Sequence, residues 1–228
     1  MSPAVDRDTV PQFVLPLVVR IEREAPPTRT AALEAAARGV LAFLADERST
    51  EGEWAERVTA WTDGRIRKVV RRARGAEWRR ASALDGITLE HEGAEVRVFP
   101  PVPLDAWPKE LARLQVSGTE LDDPEPPLAP ARGIPVLWFN PGLEMSAGKA
   151  MAQAGHGAQL AWMRLDAEAR KRWAADGFRL AVRSAPVTAW PALTDSGLPL
   201  VRDAGFTEIA PGSCTVVADL PELRLRGA

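Results

Sequence analysis

From Ser146 to Gly157 the chain reads SAGKAMAQAGHG, and three polar residues in it, Lys149, Gln153 and His156, stand at i, i+4 and i+7 of a helix. That spacing puts them on one face, a polar stripe on a helix otherwise built of Ala, Gly and Met. With Ser146 as N-cap, Lys149 falls in the first turn, where its charge opposes the helix dipole by roughly 0.3–1 kcal/mol. A lysine held there calls for an anion. The helix N-terminus, Gly148 and the ammonium together would suit a phosphate, a carboxylate or a developing oxyanion. A second polar stretch runs VRDAGFTEIAPGSCT from Val201 to Thr215. Asp203 follows an apolar strand and precedes the tight turn allowed by Ala204-Gly205, which sets its carboxylate at the sheet edge near Lys149. Thr207, Ser213 and Thr215 add hydroxyls. Two readings stand on chemistry alone. One is a hydrolytic site in which Asp203 positions or deprotonates a water and Lys149 stabilises charge on a carbonyl oxygen; the other is a structural Lys149–Asp203 ion pair with hydroxyls serving turn backbone.

The elements that must position these groups are legible in outline. Ile134 to Phe139 is an apolar strand leading into a helix from Ser146 to Arg164. A helix from Ala167 to Ala175 follows, then strands Phe178–Ser184, Leu198–Arg202 and Cys214–Ala218. Upstream the same order occurs. Phe13 to Ile21 is apolar throughout, as in a strand buried on both faces. The Ala/Leu/Glu-rich run after Pro26-Pro27, capped by Thr28 or Thr30, is helical. A short helix over Glu51–Ala60, strands over Arg65–Arg74, Ile87–His91 and Glu95–Phe99, and a helix over Leu104–Leu114 complete this half. Residues 119–133, TELDDPEPPLAPARG, have the Pro-rich, acidic composition of a stiff, solvated connector.

Residues repeat along with the elements. Val70-Arg71-x-Ala73-x4-Trp78 recurs as Val182-Arg183-x-Ala185-x4-Trp190, and Gly86-x2-Leu89-x10-Pro100 as Gly197-x2-Leu200-x10-Pro211, 112 and 111 residues on. The expected architecture is α/β: a tandem duplication of a small three-layer domain, each copy with a four-stranded mixed sheet flanked by helices. The copies are residues 1–118 and 134–228, joined by 119–133. A net charge of −2 gives no global case for nucleic acid, so any RNA contact must come from a local basic patch. One cysteine, Cys214, excludes an internal disulfide, and its apolar strand predicts an inert thiol. MSPAVDRDTVPQ lacks a signal-peptide pattern and no apolar run spans a membrane, so a soluble cytoplasmic protein with no membrane partner is expected.

Leu143-x-Met145-x2-Gly148-Lys149-x2-Ala152-Gln153-x2-His156 and Asp203-Ala204-Gly205-x-Thr207-x-Ile209-Ala210-Pro211-Gly212-Ser213-x-Thr215 resemble, without gaps, the two signature blocks of the type 2 peptidyl-tRNA hydrolase family. The resemblance covers roughly residues 134–224. It implies a mixed four-stranded sheet flanked by helices, hydrolysis of the ester joining a peptide to tRNA, and no metal or other cofactor. Lys149, Asp203 and Thr207 become the expected catalytic set, with Gly148, Gln153, His156 and Thr215 binding substrate. Four positions depart from the family pattern: Asn140 and Gly142 stand where it usually has Arg and Asp, Phe206 where it has Arg, Glu208 where it has Gln. Lost arginines mean lost phosphate contacts. A repurposed relative that binds RNA, a small ligand or a protein through the same cleft is the alternative function.

The first copy aligns with its polar groups replaced. Arg29 takes the place of Lys149, Leu33 of Gln153, Ala36 of His156, Glu92 of Asp203 and Val96 of Thr207, so a basic–acidic pair survives while the hydroxyl, amide and imidazole do not. This half reads as structural, and because the family usually pairs two subunits, a monomer with internal pseudo-twofold symmetry is expected. Residues 65–80 hold eight basic residues against one acid. With Trp78 they form either an RNA-stacking patch or a solvated strand face with the indole in the core. His91 is expected at a strand surface, and His156 serves equally as a buried hydrogen-bonding group or a catalytic one.

Overall fold

A computed structural model describes residues 11–203 and 209–224. In the first half, β1 (Phe13–Arg20) leads to α1 (Arg29–Ala45), α2 (Glu47–Thr50) and α3 (Ala55–Asp63). Then come β2 (Lys68–Ala73), α4 (Gly75–Ser82), β3 (Ile87–His91), β4 (Ala94–Val98), β5 (Val102–Pro103) and α5 (Lys109–Ala112). The second half holds β6 (Val136–Phe139), α6 (Ala147–Arg164), α7 (Ala167–Ala175) and β7 (Ala181–Ser184), followed by α8 (Trp190–Thr194), β8 (Leu200–Arg202), β9 (Cys214–Asp219) and α9 (Pro221–Arg224). The helix expected over Leu104–Leu114 shrinks to the single turn of α5, which starts directly after Pro108.

The two sheets have the same connectivity. Sheet 1 is ordered β2-β1-β4-β3 and sheet 2 β7-β6-β9-β8; in each, the first strand pairs parallel with the second and antiparallel with the last, which pairs antiparallel with the third. Sheet 1 departs from the expected four strands by a short fifth, β5, antiparallel to the start of β1. The repeated Val-Arg-x-Ala motif lies on the equivalent strands β2 and β7. The second motif fits only at its start, because Pro100 follows β4 whereas Pro211 precedes β9.

The halves are interlocked through their long helices. α1 packs on β3 and β4 of its own sheet and also meets β7; α6 packs on β8 and β9 and also meets β2. The two helices lie side by side and run the same way, Arg29 beside Met145 at one end and Val40 against Gly155 further along. Residues so enclosed must be small. A Cβ on Gly155 would come within 2.9 Å of Val40, and one on Gly157 within 2.9 Å of Val216. This accounts for the Ala/Gly content of both helices and for the buried core that joins Leu17, Val40 and Val96 of the first half to Met151, Ala154 and Val216 of the second.

The start of the connector is packed rather than solvated. Thr119 and Leu121 are buried. Thr119 Oγ1 accepts from Gly148 N–H at 3.1 Å, while Asp123 accepts from Thr30 N–H at 2.8 Å and from its hydroxyl at 2.7 Å. One strap thus satisfies orphan N–H groups at the starts of both helices, a need that composition does not reveal.

Much of the basic stretch is consumed internally. Arg71 donates to the Leu114 and Ala112 carbonyls and stacks on Trp107; Arg72 donates to the Ser117 carbonyl and the Gln115 amide oxygen. Trp78 belongs to a second core cluster, with Val18, Phe99 and Leu111, on the outer face of sheet 1. It is a core residue and cannot stack a base.

Candidate active site

α6 begins where the sequence places it, with Ser146 Oγ accepting from Lys149 N–H at 3.3 Å. The Lys149 side chain turns toward the end of β8, and its Nζ lies 2.7 Å from Asp203 Oδ1. One turn on, Gln153 Nε2 donates to the same oxygen at 2.9 Å, and Gln153 Oε1 accepts from Thr215 Oγ1 at 2.7 Å. The register between β8 and β9 slips at this point. Val201 pairs with Val216 but Arg202 pairs with Cys214, leaving Thr215 as an extra residue in the ladder. Thr215 and Val216 therefore both meet α6, one bonding Gln153 and the other packing under Gly157. Asp203 itself is fixed by backbone bonds, its N–H to the Ser213 carbonyl and its carbonyl to Gly212 N–H. The side chains of Lys149 and Asp203 are 13% and 7% exposed, so the pair is strongly desolvated.

A chain of donors and acceptors running Thr215–Gln153–Asp203–Lys149 joins four of the predicted site residues. Gly148 and His156 stand apart from it. The N–H groups of Gly148 and Lys149 are both taken by hydroxyls, of Thr119 and Ser146, so the backbone of this helix start is already capped, and the ammonium is the donor of the pair that faces Asp203. The His156 imidazole is held neutral, its pKa pushed down to about 3 by burial and by the neighbouring Lys68. Lys68, reaching from β2, donates to Gln159 Oε1 and lies 5.0 Å from the Trp61 ring; burial depresses its own pKa well below the ordinary lysine value. Thr207, Phe206 and Glu208 lie outside the described residues.

The family model for peptidyl-tRNA hydrolase PTH2 matches residues 135–224. That span covers β6 through α9 and includes every member of the polar chain. No curated protein matches the full sequence. Two of the positions that depart from the family pattern, Asn140 and Gly142, are built into one loop. Asn140 donates through Nδ2 to the Cys214 carbonyl at 2.9 Å and accepts from Gly142 N–H at 2.8 Å. Its amide closes the turn ahead of α6. A cavity of about 260 Å³ lies elsewhere, near the start of β6 between Ile134, Trp173 and Leu220, and none of the polar chain lines it.

The first half is not laid out as the sequence alignment has it. Counted from the caps Thr28 and Ser146, Ala31 holds the place of Lys149, Ala35 that of Gln153 and Arg38 that of His156. Gly39 and Gly157 then correspond, and a Cβ on either would press on a valine of its own sheet, Val98 or Val216. Arg29 and Glu92 do not form the expected surviving pair. Arg29 donates across the interface to the Met145 carbonyl at 2.9 Å, and Glu92 is an exposed residue at positive φ in the β3–β4 turn. His91 is not a free surface group either. It is held between Glu34 Oε2 at 2.8 Å and Arg38 at 2.9 Å. Glu34, His91 and Glu92 come close enough together for a cation, but Glu34 already accepts from His91, from Val182 N–H and from Arg183. Burial raises the Glu34 pKa, and these three donors outweigh it, for a net value below the ordinary glutamate range. The group is an ion-paired clamp between α1 and β7. Among the described residues no helix is long and apolar enough to cross a membrane.

Proposed function

We propose that the PTH2 domain hydrolyses the ester bond of peptidyl-tRNA in the cytoplasm, releasing peptide and tRNA. The observation that carries this reading is the desolvated Lys149–Asp203 contact, oriented by Gln153 and Thr215. Asp203 orients a water toward the ester carbonyl, and the Lys149 ammonium stabilises the oxyanion that forms as the water oxygen bonds to carbon. The ester C–O bond then breaks, and the ribose oxygen leaves with the proton given up by the water. With the N–H groups of Gly148 and Lys149 taken by hydroxyls, the ammonium carries the charge stabilisation. Thr207 completes the proposed catalytic set, and Gln153 and Thr215 serve as positioning residues.

The N-terminal half is proposed as a diverged copy in residues 1–118, followed by the strap 119–133 and the domain 134–228. The chain would then act as a monomer with internal pseudo-twofold symmetry. The shared sheet connectivity and the reciprocal packing of α1 on β7 and α6 on β2 support this. The second reading, a relative that binds RNA, a small ligand or a protein without cleaving an ester, is favoured by Asn140, whose amide is spent on the loop where a phosphate contact would stand.

The test is peptide release from purified peptidyl-tRNA by the full chain, beside Lys149→Ala and Asp203→Ala. Release by wild type that drops at least roughly a hundredfold in both variants is the expected result. Equal release by all three, or none by wild type, overturns the hydrolase reading; salt-dependent binding of intact tRNA without release selects the second one.

A further inference from the structure

Arg29 belongs to the unmatched half of the chain, yet its guanidinium is anchored on the other half. Its NH2 donates to the carbonyl of Met145, the residue just before the N-cap of α6, while its backbone N–H is held by the Asp122 carbonyl at 3.2 Å. Because α1 and α6 start side by side and run in the same direction, Arg29 sits at the same end of the helix pair as Lys149, which stands in the first turn of α6. Two further observations single it out. A polyanionic substrate needs cations beside the reacting bond, and the basic stretch of β2 does not offer them freely: Arg71 and Arg72 hold the segment 112–117, and Lys68 is buried against α6. The turn after β6 supplies no cation either, since Asn140 and Gly142 stand in it and its one charged residue is Glu144. One nitrogen of Arg29 serves as the anchor, the residue is half-buried, and a guanidinium carries five N–H donors in all.

We infer that Arg29 is a substrate-positioning residue, supplied by the N-terminal half, that binds a phosphodiester of the RNA beside the ester cleaved at Lys149 and Asp203. The inference rests on the hydrolase reading for its substrate class. It gives the first half a part in recognition: a fixed neighbour contributes the positive charge that the turn before α6 lacks. A planar guanidinium tethered through one nitrogen can still offer a pair of N–H groups to one phosphate.

The experiment uses the full chain and three variants, Arg29→Lys, Arg29→Gln and Arg29→Ala. KM and kcat are measured on peptidyl-tRNA, binding of deacylated tRNA is measured across a salt series, and melting temperature is recorded for each. The expected result is that Gln and Ala raise KM about tenfold with kcat within about twofold of wild type, and that the slope of log affinity against log salt falls by nearly one. Lys retains most of the binding. Gln can keep the bond to Met145 without the charge, so a purely structural tether would show as wild-type behaviour in Gln, with kcat and melting temperature falling together in Ala; that pattern overturns the inference. An unchanged KM and salt slope in both variants overturns it too. If wild type binds tRNA but does not cleave peptidyl-tRNA, the hydrolase reading fails by itself, and the salt slope still decides the role of Arg29. Failure of wild type to bind RNA at all defeats both.

Discussion

Thr215 Oγ1 donates to Gln153 Oε1 at 2.7 Å, and this bond sets which end of the Gln153 amide faces Asp203. Without the hydroxyl, the amide loses the partner that keeps Nε2 on the carboxylate. Thr215→Val keeps the shape and removes the donor. The expected outcome is a loss of about 1 kcal/mol in stability and roughly a tenfold fall in kcat, with Thr215→Ser close to wild type. Chemical denaturation beside steady-state kinetics checks both parts.

The Lys149–Asp203 pair is desolvated enough that breaking it on one side leaves a stranded charge. Lys149→Met and Asp203→Leu should each destabilise by about 3 kcal/mol, and the double variant by less than either, because no charge is then buried. A double-mutant cycle in urea reads the coupling. Simple additivity of the single losses would show that the pair does not act as a unit.

Stability should fall as the medium is acidified, in two windows. His156 has a folded-state pKa depressed from about 6.5 to about 3, so the unfolded chain takes up the proton first; stability is full above about pH 6.5 and is lost progressively toward pH 3. Glu34, also depressed, adds stability above the ordinary glutamate pKa that is lost as pH falls through its lower folded value. Denaturation midpoints against pH, for wild type and His156→Asn, should differ in slope between pH 6.5 and 4. Parallel curves would refute the assignment to His156.

Lys68 has Gln159 Oε1 as its hydrogen-bond acceptor, and the Gln159 Nε2 is itself buried without one. Replacing Lys68 by Met removes a costly amine but strands the glutamine, so the single change should be nearly neutral. Lys68→Met with Gln159→Leu removes both polar groups and should stabilise by about 1–3 kcal/mol, measured as a rise in denaturation midpoint.

The parallel contact of α1 and α6 leaves no room at Gly155, where a Cβ would lie 2.9 Å from Val40 Cγ2. Gly155→Val should cost about 1–3 kcal/mol by overpacking, and Val40→Ala in the same chain should restore part of it. Sedimentation of wild type is expected to give the mass of one chain, since α6 already has a partner helix in α1. An obligate dimer would contradict the proposed self-contained arrangement.

Local pattern determined a good part of this protein. The apolar run Phe13–Arg20, the Ser146 cap, the helix Ala167–Ala175 and the hairpin strands Ile87–His91 and Ala94–Val98 follow from periodicity and turn chemistry, which act within a few residues. The motif residues Lys149, Gln153, Asp203 and Thr215 were legible as types at spacings, because a chemistry that needs an ammonium, an amide, a carboxylate and a hydroxyl leaves those residues visible. What the chain could not display was who would meet whom across long separations. That Thr119 rather than a ligand caps Gly148 and that Arg29 bonds Met145 instead of Glu92 depend on α1 and α6 lying side by side, and that His91 is gripped by Glu34 and Arg38 depends on α1 packing on β3. The correspondence that gives Ala31 the place of Lys149 is likewise fixed by caps and by Gly39 and Gly157 pressing on their strands, contacts to which sequence offset is blind. Composition and spacing act along the chain and so could name the groups; only close packing, which acts through space, could decide which of them are joined, capped or spent.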